Sequence, residues 1–222
     1  MERKSVLMSL RLLVIVQILS LASSVLLRVI PLGAAVRFVP LLFDALTLYC
    51  LVKMRGEHRL YRIAVWFHGL NFISSLLELI TADLVIVSYL YRVFGESIMD
   101  ISRVVSTVMT YATLVLSWLA IYFEYTAHSK LASAVNPILA MKWQVIAIAS
   151  IAILLCASIA GSILMAMIEN DVLSILSYQQ LIYPILRLIP VLTQIAYILC
   201  LLYTWRALSK EQKGDIENFN AT

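Results

Sequence analysis

The stretch WQVIAIASIAILLCASIAGSILMAMI, residues 143–168, holds twenty-six consecutive residues without a charged side chain. Because about 20 helical residues cross a hydrocarbon core of about 30 Å, such a run is typical of a transmembrane helix. Two further uncharged runs, residues 104–123 and 188–205, have the same character. The sequence therefore predicts an all-α protein, a polytopic bundle of transmembrane helices.

The composition indicates the same class. Hydrophobic residues make up 62% of the 222 residues and charged residues 14%, whereas soluble domains average about 45–50% and about 25%. A chain of this size cannot hide that excess in a soluble core, because small domains have too much surface. Cys50, Cys156 and Cys200 all lie in apolar runs without paired spacing. We expect them to be small buried hydrophobes rather than disulfide, metal or redox groups.

The hydropathy pattern predicts six spans. They cover residues 8–30, 36–53, 62–82, 101–123, 143–168 and 185–205, give or take a few residues. The first has the basic front and apolar middle of a signal peptide, but the five later spans favour an uncleaved helix. Residues 172–186 stay open between an interfacial piece, a re-entrant piece and part of the last span, with a bend expected near Pro184. The transmembrane domain is then 1–206, and a short, loose cytoplasmic tail follows at 207–222.

Lysine and arginine are distributed unevenly along the chain, and this bias predicts orientation. With the N-terminus inside, the cytoplasmic segments carry twelve of the seventeen basic residues: Arg3, Lys4, Arg11, Lys53, Arg55, Arg59, Arg62, Lys130, Lys142, Arg206, Lys210 and Lys213. The outer ends carry Arg28, Arg37, Arg92, Arg103 and Arg187. Both termini are therefore predicted to be cytoplasmic. The same bias explains the net charge of +4 without a nucleic-acid partner.

Polar side chains form stripes on several of these spans. In WFHGLNFISSLLELITAD (66–83), at about 100° per residue, His68, Asn71, Ser75 and Glu78 share one helix face. The other polar stripes are Gln17, Ser20, Ser24 and Arg28; Arg37, Asp44 and Thr47; Arg103, Ser106, Thr110, Thr113 and Ser117, with Glu124 further in; and Tyr183, Arg187, Pro190, Gln194 and Tyr197. Because lipid cannot satisfy these groups, we expect the stripes to face other helices or a cavity. Span five instead offers the small pair Ala157 and Gly161, which suits close helix packing.

The candidate site is an intramembrane polar cluster drawn from these stripes. Its members are Arg28, Arg37, Asp44, His68, Asn71, Glu78, Arg103, Arg187 and Gln194. In one interpretation Asp44 and Glu78 pair with arginines and the hydroxyl groups let the helices approach. In the other, the stripes line an outward-facing cavity in which arginines bind an anion and Asp44, Glu78 and His68 form a proton path.

The inner loop EYTAHSKLASAVNPILAMKW (124–143) predicts a helical hairpin. Asn136 suits an N-cap and Pro137 the first turn of the next helix, and Lys142 and Trp143 are expected at the membrane interface. The stretch E-Y-x-A-H-x-x followed by N-P-x-L-x-x-K-W resembles small uncharacterised multi-pass membrane proteins of Gram-positive bacteria, over about twenty residues. The resemblance implies a bacterial plasma membrane and assigns no role to Glu124, His128 or Trp143.

The motifs leave three classes of function open. H-E-x-x-H, G-x-S-x-G and phosphate-binding glycine loops do not occur in the sequence, and Cys50 near His58 is the nearest combination of nucleophile and base. No metal or cofactor is predicted. The favoured class is a small transport or ligand-binding membrane protein with an outward-facing polar region. The alternatives are a non-enzymatic accessory or regulatory membrane subunit and an intramembrane enzyme. The expected partners are the lipid bilayer and either another membrane protein or a second copy of this chain.

Overall fold

The computed structural model describes residues 3–26, 38–81, 92–93, 97–169 and 183–220. Its helices are α1 (Arg3–Leu26), α2 (Phe38–Met54), α3 (Arg59–Thr81), α4 (Ser97–Ser133), α5 (Pro137–Glu169) and α6 (Tyr183–Asn220). No β-strand occurs in these ranges. The prediction of an all-α protein is confirmed.

Four of the described helices are long and apolar enough to cross a membrane. The qualifying segments are Lys4–Leu26 in α1, Thr107–Ser133 in α4, Pro137–Ile168 in α5 and Pro190–Gln212 in α6. The 17 residues of α2 rise only about 26 Å at the usual helical pitch. The 23 residues of α3 are long enough, but the helix carries several charged and polar side chains. Four helices thus have the length and apolar composition of membrane spans, and the six-span count stays a prediction.

Large apolar side chains cover the outside of these four helices. Met8, Ile148, Val145 and Leu192 are between 64% and 74% exposed. Lipid would cover such exposed apolar side chains in a membrane. Cys156 also lies exposed on α5, against the expectation that it is buried, whereas Cys50 and Cys200 are buried.

The chain divides into two compact units, residues 1–127 and 128–222. In the first unit α1 packs on α2 and α2 packs on α3. Its core contains Leu10 and Leu13 from α1 and Cys50, Leu51 and Met54 from α2, all with no exposed surface. In the second unit α5 packs on α6.

The hairpin between α4 and α5 forms as the sequence predicts. The side-chain Oδ1 of Asn136 accepts hydrogen bonds from the backbone N–H groups of Ile138 and Leu139, at 3.0 and 3.2 Å. These amides belong to the first turn of α5 and have no partner within the helix, so the cap satisfies them. Pro137 is the first residue of α5, where the missing N–H of proline costs nothing. Ser129 ties the hairpin together by donating its hydroxyl to the carbonyl of Ala140, at 2.9 Å.

The segment predicted as a loose tail is helical to Asn220, because α6 continues that far. Its sequence ALSKEQKGDIENFN is rich in good helix formers, and a single Gly214 does not stop a helix. Pro184 lies in the first turn of α6, and the helix passes through Pro190. Of the open segment 172–186, residues 183–186 therefore belong to the last helix, while 172–182 lie outside the described residues.

The small pair on α5 does not mediate close packing within the described residues. A Cβ placed on Gly161 would meet nothing within 4 Å, and Ala157 is only half-buried. Close packing at GxxxG-type sites depends on a neighbouring backbone coming near the small residue. The structure shows no such neighbour at Gly161.

Candidate functional site

Three polar contacts join α3 to α4 in the first unit. His68 Nε2 lies 2.8 Å from Glu124 Oε2, Ser117 donates to Asn71 Oδ1 at 2.9 Å, and the hydroxyls of Ser74 and Thr113 lie 2.7 Å apart. The contacts advance along α3 while they retreat along α4, so this part of the helix pair is antiparallel. Steps of three residues on α3, and of four and seven on α4, keep each set on one helix face. His68 and Asn71 from the stripe of span three therefore contact Glu124 and Ser117 from the stripe of span four, whereas the sequence predicted only that each stripe faces other helices or a cavity.

The contact between His68 and Glu124 is shielded from solvent. The side chain of His68 is 19% exposed and that of Glu124 is 5% exposed. Phe67 and Phe123, the residues just before the two partners, stack with ring centroids 5.3 Å apart and planes 2° from parallel. The stacked rings form an apolar flank beside the polar contact. Limited access of water strengthens the electrostatic interaction between an imidazolium and a carboxylate.

Two further ionisable groups lie near this pair. Asp44 on α2 is close enough to His68 for an electrostatic interaction, and its own side chain is exposed at the surface of the chain. The phenol of Tyr61, which precedes the predicted span 62–82, is completely buried. Burial raises the pKa of Tyr61, and the negative charge of Glu124 raises it further. His68 thus contacts one carboxylate, that of Glu124, and interacts electrostatically with a second, that of Asp44 on another helix.

The stripes of spans one and two also meet. Gln17 Nε2 on α1 donates to Thr47 Oγ1 on α2, at 3.0 Å. Thr47 is buried and Gln17 is half-buried. This contact stabilises the α1–α2 packing in the way expected of polar groups between membrane helices.

The described residues cover only part of the predicted cluster. Arg28 and Arg37 lie outside them, and so do the side chains of Glu78, Arg103 and Arg187. The predicted pairing of Asp44 and Glu78 with arginines stays a prediction for that reason. Asp44, His68 and Asn71 belong to neighbouring parts of the first unit, and Gln194 is a half-buried residue of α6 in the second unit.

Glu124 is the residue that the candidate cluster missed. It follows directly on the uncharged run 104–123 and so resembles an interfacial charge at the end of a span. In the structure it lies inside α4, ahead of Ser133 at the helix end, and is 4% exposed. Glu124 shares a helix face with Thr113 and Ser117. This shared face is the sequence feature that indicates its role, because side chains on one face contact the same neighbouring helix.

A second buried cluster holds the second unit together. The rings of His128 and Trp143 stack at 4.8 Å, and Tyr197 meets Trp143 edge-on at 5.6 Å. Trp143 Nε1 donates to Thr204 Oγ1 at 2.9 Å, and that hydroxyl donates to the carbonyl of Cys200 at 2.8 Å. Trp143 and His128 have no exposed surface. The indole of Trp143 is therefore a core group of this unit, and its expected place at the membrane interface stays a prediction.

Cys50 and His58, which the sequence offers as the nearest combination of nucleophile and base, have separate structural roles. Cys50 is fully buried in the α1–α2 core, while His58 is exposed and accepts the backbone N–H of Leu60 on Nδ1, at 3.1 Å. His58 thereby caps the start of α3. Among the described residues, no group of three or more His, Cys, Asp or Glu side chains is arranged to hold a metal ion.

Comparisons of the chain with protein-family models, with curated proteins and with solved structures give no match.

Proposed function

We propose that this protein is a multi-pass membrane protein of the transport or ligand-binding class, with six spans and both termini in the cytoplasm. The four long apolar helices support a membrane location. The lysine and arginine bias supports the orientation, and the hairpin motif at 124–143 supports a bacterial plasma membrane. In this topology α2 and α3 are short or polar spans, and neighbouring helices contact Thr47, His68 and Asn71 while Asp44 is exposed.

The observation that carries the proposed activity is the shielded contact of His68 with Glu124 at 2.8 Å, with Asp44 near enough to His68 for an electrostatic interaction. Ionisable groups inside a membrane protein are costly and commonly mark proton or ion paths. Imidazole is the side chain whose ordinary pKa lies closest to neutral pH, so it suits repeated proton exchange. Asp44 on the surface would deliver a proton to His68, and Glu124 would stabilise the imidazolium. The pairs Asn71–Ser117 and Ser74–Thr113 extend the polar line along α3.

The outer arginines of the predicted cluster are the basis for proposing an anionic ligand. Within the predicted cluster, four arginines stand against the two carboxylates of Asp44 and Glu78. An anionic ligand suits that surplus, and proton movement through His68 would drive its transfer. The proposed activity is proton-coupled movement of a small anion.

Proton flux into liposomes tests this proposal. The purified protein would be reconstituted around a pH-sensitive dye, an inward proton gradient imposed, and small organic and inorganic anions offered outside. We expect anion-stimulated acidification that His68→Gln and Glu124→Gln abolish. The matched control is His58→Gln, which alters an exposed histidine. Equal acidification by the wild type, both variants and protein-free liposomes would contradict the proposal.

A second candidate, an accessory or regulatory membrane subunit, is favoured by one observation. The polar groups of Asn71, Ser117, Ser74 and Thr113 bind one another rather than an open space. Mutual satisfaction of this kind is what helix packing alone requires. Purification from native membranes in mild detergent would then yield a second polypeptide in fixed ratio, and liposomes of this chain alone would show no flux.

A further inference from the structure

A groove with apolar walls opens between α2 and α3 in the first unit. Its volume is about 660 Å³, and its walls include Leu48, Val52, Val65 and Trp66. This volume lies in the range of roughly 300–1,000 Å³ that is usual for small-molecule sites. Trp66 is 73% exposed although it is the largest apolar side chain at the groove. The His68–Glu124 pair does not line it.

Two arginines stand at one end of this groove. Arg55 comes from the turn after α2 and Arg62 from the first turns of α3, and both line the groove and are exposed. Neither side chain makes a hydrogen bond or an ion pair with any residue that the structure describes. Their guanidinium groups are therefore available to a ligand. Arginine binds phosphate oxygens through two parallel hydrogen bonds, which makes a pair of arginines a strong phosphate site.

We propose that the groove binds one anionic phospholipid, with its phosphate between Arg55 and Arg62 and an acyl chain along the apolar walls. The charges are complementary in sign, because Arg55 and Arg62, which have no side-chain partner among the described residues, would face one negatively charged phosphodiester. The apolar walls of the groove suit the acyl chain of a phospholipid. A soluble anion has no such chain. An exposed tryptophan beside basic residues is also the usual arrangement at the headgroup level of a membrane. Basic pockets between membrane helices bind such headgroups.

Gly69 provides the space for the acyl chain. It lines the groove, and a Cβ placed on it would meet nothing within 4 Å. The Cβ of a larger residue at this position would therefore be accommodated, and the rest of its side chain would compete with a ligand for the groove. Gly161 on α5 is equally open but does not line the groove, so it offers a matched control.

The lipid specificity is measured on the purified full chain in a neutral detergent. The probes are dioleoyl phosphatidylglycerol, dioleoyl phosphatidylcholine and inorganic phosphate, read by native mass spectrometry and by the shift in melting temperature. We expect phosphatidylglycerol to bind at least about tenfold more tightly than phosphatidylcholine, and phosphate alone to have no effect. Equal binding of both lipids would overturn the proposal. A shift with phosphate as large as the shift with phosphatidylglycerol would also overturn it, because the site would then be an anion site.

Variants locate the binding at the groove. Arg55→Gln combined with Arg62→Gln should remove the preference for phosphatidylglycerol, while Arg206→Gln, an exposed arginine of α6, should preserve it. Gly69→Leu should weaken lipid binding with both arginines intact, and Gly161→Leu should not. Wild-type affinity in either the double arginine variant or Gly69→Leu would overturn the proposal. The outcome is independent of the proton path, since no residue of that path is changed.

Discussion

His68 Nε2 on α3 lies 2.8 Å from the carboxylate of Glu124 on α4, across fifty-six residues of sequence. Both side chains are largely withdrawn from solvent. A buried charge is tolerated when a partner of opposite charge meets it. The pair therefore links the two helices and sets their register at this depth.

Replacing one member of the His68–Glu124 pair should destabilise the chain more than replacing both members. His68→Leu leaves the buried Glu124 without its imidazole, and we expect a loss of about 3 kcal/mol in the free energy of unfolding. The double variant His68→Leu, Glu124→Leu should recover most of that loss. Denaturant unfolding in detergent measures the cycle, with His58→Leu as the exposed-histidine control. Strictly additive losses would show that the two side chains do not interact.

The contact between Asn71 and Ser117 should matter less. Interhelical hydrogen bonds between neutral side chains in membrane proteins average about 0.6 kcal/mol, so Asn71→Leu should cost about that amount. Leu70→Ala, at the neighbouring exposed position, is the control and should be near neutral. The same unfolding assay ranks the variants. If Asn71→Leu lowers the free energy of unfolding as much as His68→Leu does, the His68–Glu124 contact is not the stronger of the two contacts between α3 and α4.

The aromatic cluster of the second unit should depend on Trp143. Trp143→Ala removes a fully buried side chain and should cost about 3–5 kcal/mol. Trp143→Phe retains most of the packing but loses the hydrogen bond to Thr204, which costs about 1 kcal/mol. Trp66→Ala, at a 73% exposed position, is the control. A Trp143→Ala variant as stable as Trp66→Ala would contradict a core role for Trp143.

The effect of the Asn136 cap on α5 should be measurable at individual backbone amides. Asn136→Ala removes the acceptor for the N–H groups of Ile138 and Leu139 and should cost about 0.5–2 kcal/mol. Asn136→Asp supplies an equivalent oxygen and should be near neutral. Hydrogen exchange of those two amides should accelerate only in the alanine variant, with Ser133→Ala as a control in the same hairpin. Unchanged exchange in Asn136→Ala would indicate that another group caps the helix.

Cysteine labelling tests the proposed orientation. In a background with Cys50, Cys156 and Cys200 replaced by alanine, Arg55→Cys and Lys130→Cys should resist a membrane-impermeant reagent applied to intact cells. Glu96→Cys and Asn170→Cys should react with it, because the basic residues hold the opposite side in the cytoplasm. Labelling of Arg55→Cys from outside would rule out the six-span topology.

The features that the sequence predicted well are local ones. The uncharged run 143–168 determines a long apolar helix, since hydropathy and helical rise act within one segment. Asn136 and Pro137 determine where α5 begins, because a cap binds amides only two or three residues away. The polar stripe of His68 and Asn71 follows from helical periodicity alone. In the structure these two residues contact Glu124 and Ser117 of a neighbouring helix.

The identity of each partner was decided only by the tertiary structure. Glu124 meets His68 because two antiparallel helices adopt one particular register, and no pattern within either helix specifies that register. Trp143 has the sequence context of an interfacial residue, yet Tyr197 and Thr204 from α6 enclose it. The groove near Arg55 likewise exists only once α2 and α3 pack. Contacts between distant segments depend on how side-chain volumes fit together, and this fit is a property of the packed helices rather than of any one of them.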